Sequence, residues 1–137
     1  MSVELQKIHS FIDKHHVLTL ATSNKDEISA CSLFYAFEAE ENIFVVASSD
    51  DTLHINHIQK NPKIAGNILL ETDEVGKIQG LQFRGVFKEN QVAKYTKLYL
   101  KKFPYAIALK PKLWIIEVDF FKLTDNRLGF GKKIIWP

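Results

Sequence analysis

The sequence predicts a mainly β protein, a small closed or split barrel of about six or seven mostly antiparallel strands with three helices. Three observations carry that expectation. Short apolar runs rich in β-branched and aromatic residues recur along the chain, separated by turn clusters such as "NKDE", "AEEN" and "TDEVGK". Three other segments place apolar residues at helical spacing, each beside a residue suited to capping. The 137 residues contain 46% hydrophobic and 25% charged side chains, the balance of one globular domain spanning residues 1–137.

The elements follow in order. "SVELQKIHSFIDKHH" spaces Val3, Leu5, Ile8, Phe11 and Ile12 as a helix over residues 3–14, with Ser2 as its cap. "VLTLATS" is a short strand. "ISACSLFYAF" is apolar at both odd and even positions, which predicts a strand buried on both sides. "IFVVA" is a core strand. In "SSDDTLHINHIQKNP", Asp50 or Asp51 is expected to cap a helix over residues 52–60, stopped at Asn61-Pro62. "KIAGNILLE" and "IQGLQFRGVFKE" are strands. "NQVAKYTKLYLKKF" is a helix with Val92, Tyr95, Leu98 and Tyr99 on one side, Asn90 as a cap and Pro104 at its end. "LWIIEVDFFKLT" is a long strand, and the tail "TDNRLGFGKKIIWP" is either one more strand or an arm that delivers charge and an aromatic ring to a ligand.

Composition also narrows the function. A net charge of +2 gives no general argument for a nucleic-acid partner. The single cysteine, Cys31, makes no internal disulfide and suits a reducing cytoplasm. No apolar run approaches the roughly 20 residues that cross a membrane, and the N-terminus lacks the pattern of a signal peptide.

Chemistry concentrates at "VASSDDTLH", where a core strand runs into a helix start. The first turn of a helix presents unpaired N–H groups and the positive end of its dipole, a setting that favours phosphate or carboxylate. Ser49 and Thr52 add hydroxyls there and His54 a proton-dependent charge. A capped helix without ligand is the simpler outcome on this stretch alone, because Ser, Asp and Thr are the best capping residues. His54 and His57 share a helix face, but no H-E-x-x-H pattern accompanies them and no metal is expected. His15 and His16 read as cations favoured by a helix C-terminus. Arg84 and Gln82 point to one side of a strand, and Gly85 marks a bulge or a close approach. No catalytic acid, base or nucleophile stands out.

The order of "VLTLATS", "ISACSLFYAF", "IFVVASS", a short helix and "NPKIAG" resembles the pyridoxamine 5'-phosphate oxidase-like, FMN-binding split-barrel proteins. "LQFRGVF" resembles that family's strand with a central glycine. "WIIEVDFFKLTDNRLGFGKKIIW" is similar to the ending of a small bacterial subfamily. The resemblance implies a cytoplasmic homodimer with FMN at the subunit interface and a flavin-dependent oxidoreductase of unspecified substrate. It places Thr52 and His54 at the flavin phosphate, with Ser49 beside them. It places Ser32, Leu33 and Phe34 along the isoalloxazine ring and Ala47 and Ser48 at its edge. His54 stands where the family usually has Lys or Arg, and "ISACSLF" lacks an arginine common there; Arg84 and Lys132 are the cations left to substitute. Trp136 is expected to pack over the pocket or the dimer seam, so removing residues 129–137 is expected to weaken FMN binding or dimerisation. Relatives on this barrel also bind haem. The alternative is therefore a non-enzymatic haem or flavin carrier, with His15, His16, His54 and His57 as possible axial ligands.

Overall fold

The computed structural model describes residues 2–137. Helix α1 spans Val3–Asp13 and is capped by Ser2, whose hydroxyl accepts from the Leu5 amide at 3.1 Å. It buries Leu5, Ile8, His9, Phe11 and Ile12 and leaves Val3 in solvent. Strands β1 (Val17–Asn24), β2 (Glu27–Phe34), β3 (Ala36–Glu38) and β4 (Ile43–Ala47) follow as hairpins. Helix α2 (Leu53–Lys60) precedes β5 (Lys63–Leu70) and β6 (Gln79–Glu89). Helix α3 (Ala93–Lys102), β7 (Leu113–Asp125) and β8 (Lys133–Trp136) complete the chain.

The strands form one antiparallel sheet in the order β2-β1-β5-β6-β7-β4-β3, with β8 added on β7. β2 and β4 touch where the sheet curls round, but no hydrogen-bonded ladder joins them. That unzipped seam makes the barrel split. Inside it the aromatic side chains pack around Phe44, whose ring lies 4.8 Å from Phe83, 4.9 Å from Phe37 and 5.1 Å from Tyr35. Edge-on and tilted aromatic packing of this kind adds to simple burial.

The path holds seven strands, with β8 added beside it, and "ISACSLFYAF" is divided into two of them, β2 and β3. Tyr35 leaves the ladder: its amide donates to His16 O at 3.0 Å and its hydroxyl to Ile12 O at 2.6 Å. The run is also not buried on both sides within one chain. Ile28 and Phe34 are 78% and 53% exposed, and β2 ends the sheet path. In α3, Tyr95 and Tyr99 are buried while Val92 faces solvent. Asn90 does not occupy the cap position, but it braces the helix start through the Val92 amide and the Thr96 hydroxyl.

Gly85 sits at a bulge. The pairing runs Arg84↔Phe120 and then Gly85↔Val118, leaving Asp119 as the extra residue on β7. A Cβ there would lie 2.2 Å from the Glu117 carbonyl oxygen, which is the close approach that the sequence pattern suggested.

Candidate functional site

The end of β4 and the start of α2 bring Ala47, Ser48, Ser49, Thr52 and His54 together. Thr52, not Asp50 or Asp51, is the N-cap of α2. Its hydroxyl donates to Ser49 O at 2.9 Å and accepts from the Ile55 amide at 3.4 Å. Asp50 instead pairs with Lys112, which also reaches Glu89. His54 Nε2 lies 2.7 Å from Ser48 Oγ and 3.4 Å from Thr52 Oγ1. The main chain of Ser48 is held on both sides. Its amide donates to Lys112 O at 3.1 Å and its carbonyl accepts from Trp114 Nε1 at 2.9 Å. Among the described residues, the Leu53 and His54 amides have no protein acceptor outside the helix. The result is a half-buried nest of hydroxyls, an imidazole and helix-end amides, suited to donating hydrogen bonds to an anionic or carbonyl oxygen.

Burial pushes the His54 pKa below its ordinary 6.5, with His57 adding a smaller repulsion. His54 is thus a neutral partner near pH 7, and no fixed cation stands at its position. His15 moves the same way through burial, His16 and Lys14, so it is not the favoured helix-end cation that its position suggests. A histidine whose folded pKa is depressed binds fewer protons than in the unfolded chain, so stability rises with pH across that region. Stability is expected to fall as the pH drops below about 6.5. His54→Gln should flatten part of that fall, His15 keeping the rest. Denaturant midpoints at about pH 5.5 and about pH 7.5 check this.

His57 is spoken for. It is fully buried, with Nδ1 2.8 Å from Thr22 Oγ1 and Nε2 2.6 Å from Glu27 Oε1. It ties α2 to the β1–β2 hairpin and is removed from the possible axial ligands. Among the described residues no group of three or more His, Cys, Asp or Glu comes together as a metal site.

The remaining expected residues lie apart within one chain. Ser32 and Phe34 are on the outer face of β2, and Leu33 packs inward against the core. Phe34 meets the Phe103 ring at 5.7 Å. β3 and β4 pair with Ala36 opposite Val45, and β2 stays against β4 beyond that ladder. The Ser32–Phe34 stretch therefore runs along the seam toward Ala47 and Ser48. Arg84 is on the outer face of β6, its guanidinium 4.1 Å from the Phe120 ring centroid. Lys132 is exposed in the turn before β8, and Trp136 packs on Phe121 at 5.7 Å. Both belong to the far end of β7, since β8 pairs with Phe121–Thr124 while Trp114 lies beside Ser48. The sequence reading missed Lys112 and Trp114. They come from β7 and the loop before it, more than 50 positions away from Ser48 in the chain, and no local pattern announces them.

The fold and this site define a split β-barrel protein with a polar nest at a strand–helix junction. The chain belongs to the UPF0306 family. It is 37% identical over 134 residues to a UPF0306 protein of Photorhabdus laumondii, covering 96% of this chain and 94% of that one. It is 35% identical over 137 residues to UPF0306 protein YhbP of Salmonella arizonae, covering 96% and 92%. No family model matches the chain. Among solved structures it resembles a heme binding protein from Mycobacterium smegmatis, with TM-score 0.81 and 16% identity over 99% of this chain and 58% of that one. It also resembles a FAD-binding protein from Mesorhizobium loti, with TM-score 0.69 and 12% identity, covering 90% and 94%. A NimC/NimA family protein from Clostridium acetobutylicum has TM-score 0.70 and 15% identity, covering 97% and 92%. These likenesses establish the fold. No helix among the described residues is long and apolar enough to cross a membrane.

Proposed function

We propose that the protein binds a flavin of the FMN type at the interface of a homodimer and serves as a flavin-dependent oxidoreductase. The observation that carries the proposal is the Ser48–Thr52–His54 nest at the start of α2, directly after β4, the strand that meets β2 along the seam. The donor set fits an anionic oxygen: the Ser48 hydroxyl, free to donate when His54 Nε2–H donates to its Oγ, and two helix-end amides. The cation near it, Lys112, is held by Asp50 and Glu89, so neutral donors carry the phosphate. Ser48, positioned by His54, and the Leu53 and His54 amides would hold the phosphate end, Thr52 fixing the turn through Ser49 O, and Ser32, Leu33 and Phe34 would lie along the ring. A bound flavin supplies one- or two-electron redox chemistry. The chain's own contribution is to position the group and to exclude water from it.

The outer sheet face supports the dimer. Across the strands its two central rows read Ser32, Thr19, Asn67, Gln82, Lys122 and Ala30, Ala21, Ala65, Arg84, Phe120. Neither row contains a carboxylate. Val17, Ile28, Phe34 and Leu69 add exposed apolar surface on the same face. An uncovered face of this kind marks an interaction surface, and a second copy would bury the face of "ISACSLFYAF" that the sequence pattern marks as buried. Arg84 and Lys132 would then approach a site from the partner chain.

Titrating FMN into the protein and following flavin fluorescence tests the reading. Saturable quenching at micromolar protein is expected, and Ser48→Ala should weaken it about tenfold, the loss of one charged hydrogen bond. Quenching that is absent, or unchanged in both Ser48→Ala and His54→Ala, would remove flavin from this nest. The haem reading has one specific support, the likeness to the M. smegmatis heme binding protein. Half-buried His15 and His54 and exposed His16 are its accessible ligands, and a Soret band lost in one of the three alanine variants would support it.

A further inference from the structure

We infer a second ligand site, in the cleft between α1 and the C-terminal hairpin, for a small molecule with an anionic head on an apolar body. Lys7 and Ser10 on α1 and Lys14 at its C-cap are three and four positions apart, so they share one face of the helix. All three line a cavity of about 190 Å³ whose apolar wall includes Phe11, Leu123 and Ile134. Arg127 and Asp125 close its other side.

The charges in this cleft do not cancel. Asp125, 4% exposed, is consumed by Arg127: Oδ1 accepts from the Arg127 amide at 3.0 Å and from Nε at 3.1 Å, and Oδ2 accepts from Nη2 at 2.9 Å. Arg127, and Lys7 more weakly, hold the Asp125 carboxyl below its usual range. Lys7 and Lys14 make no salt bridge among the described residues. Two ammonium groups therefore flank an apolar pocket whose only carboxylate is already paired. A ligand that answers this arrangement places a carboxylate or phosphate between the lysines and an aromatic or short aliphatic group against Phe11 and Ile134. The volume suits a single ring, not a dinucleotide. The tail also gains a role here. Its turn, with Gly129 and Gly131 at positive φ, returns the chain so that Ile134 forms the cleft wall.

Amide NMR of the full chain tests the site, with phenyl phosphate, benzoate, inorganic phosphate and benzyl alcohol as separate probes. Phenyl phosphate or benzoate should give saturable shifts confined to residues 7–14 and 123–134, and the stronger of the two identifies the head group. Inorganic phosphate should bind more weakly and benzyl alcohol should not saturate. Lys7→Ala with Lys14→Ala should weaken binding about tenfold or more, because each removes a charge-assisted contact. Lys97→Ala, on the remote helix α3, should leave it unchanged. Both cleft lysines are exposed, so the fold is expected to survive; the single variants give the same readout if the pair does not fold. Shifts that never saturate, or that persist in the lysine variants, would overturn the site.

Discussion

Replacing His57 with alanine is expected to cost about 3 kcal/mol of stability, through a cavity left at a fully buried ring and through the orphaned Thr22 hydroxyl. Both imidazole nitrogens are engaged, and Thr22 is itself only 2% exposed, so its hydroxyl loses a buried partner. The Glu27 end of the chain of bonds behaves differently. Its side chain is 62% exposed, and Glu27→Gln should cost less than about 1 kcal/mol. Urea unfolding of the two variants separates the contributions. Equal losses would mean that the Glu27 contact, and not the buried ring, holds α2 on the hairpin.

Gly85→Ala is expected to be at least as damaging, about 3 kcal/mol or more, with a melting temperature lower by about 10 °C. The added Cβ meets Glu117 O at 2.2 Å, Glu117 C at 3.0 Å and Val118 Cα at 3.1 Å. All three are backbone atoms, so no side chain can swing away to make room. Relief requires opening the β6–β7 ladder at its bulge, and that ladder joins the two longest strands of the sheet. Gly76→Ala is the control. Its Cβ would meet nothing within 4 Å, and its effect should stay within about 0.5 kcal/mol. Similar melting temperatures for the two variants would refute the assignment of Gly85 to a steric bulge.

The parts of the fold that depend on local chemistry were readable from the residues. Ser2 caps α1, Asn61-Pro62 ends α2, and the turn clusters separate the strands as their composition requires. The division at Tyr35 was not readable, because it depends on bonds to Ile12 and His16 that only the folded chain brings near. The choice of Thr52 over two aspartates as the cap has a similar cause: Lys112 draws Asp50 away. At the site, Ser48, Thr52 and His54 are close in sequence and their meeting was foreseeable. Trp114 and Lys112, which fix the Ser48 main chain, arrive from another strand and its approach. The tail raised the question of strand or ligand arm. It is a strand on β7 that buries Ile134 and packs Trp136 on Phe121. Deleting residues 129–137 would therefore disturb the fold as well as any site, and Lys132→Ala and Trp136→Ala are the cleaner tests of a cofactor role.

The absorption spectrum of the protein as purified tests the central claim most directly. Flavin bands that remain with the protein through gel filtration and fall in Ser48→Ala and His54→Ala are the expected result. A colourless protein that also leaves added FMN unquenched would contradict the proposal, and a Soret band in place of flavin bands would assign the barrel to haem.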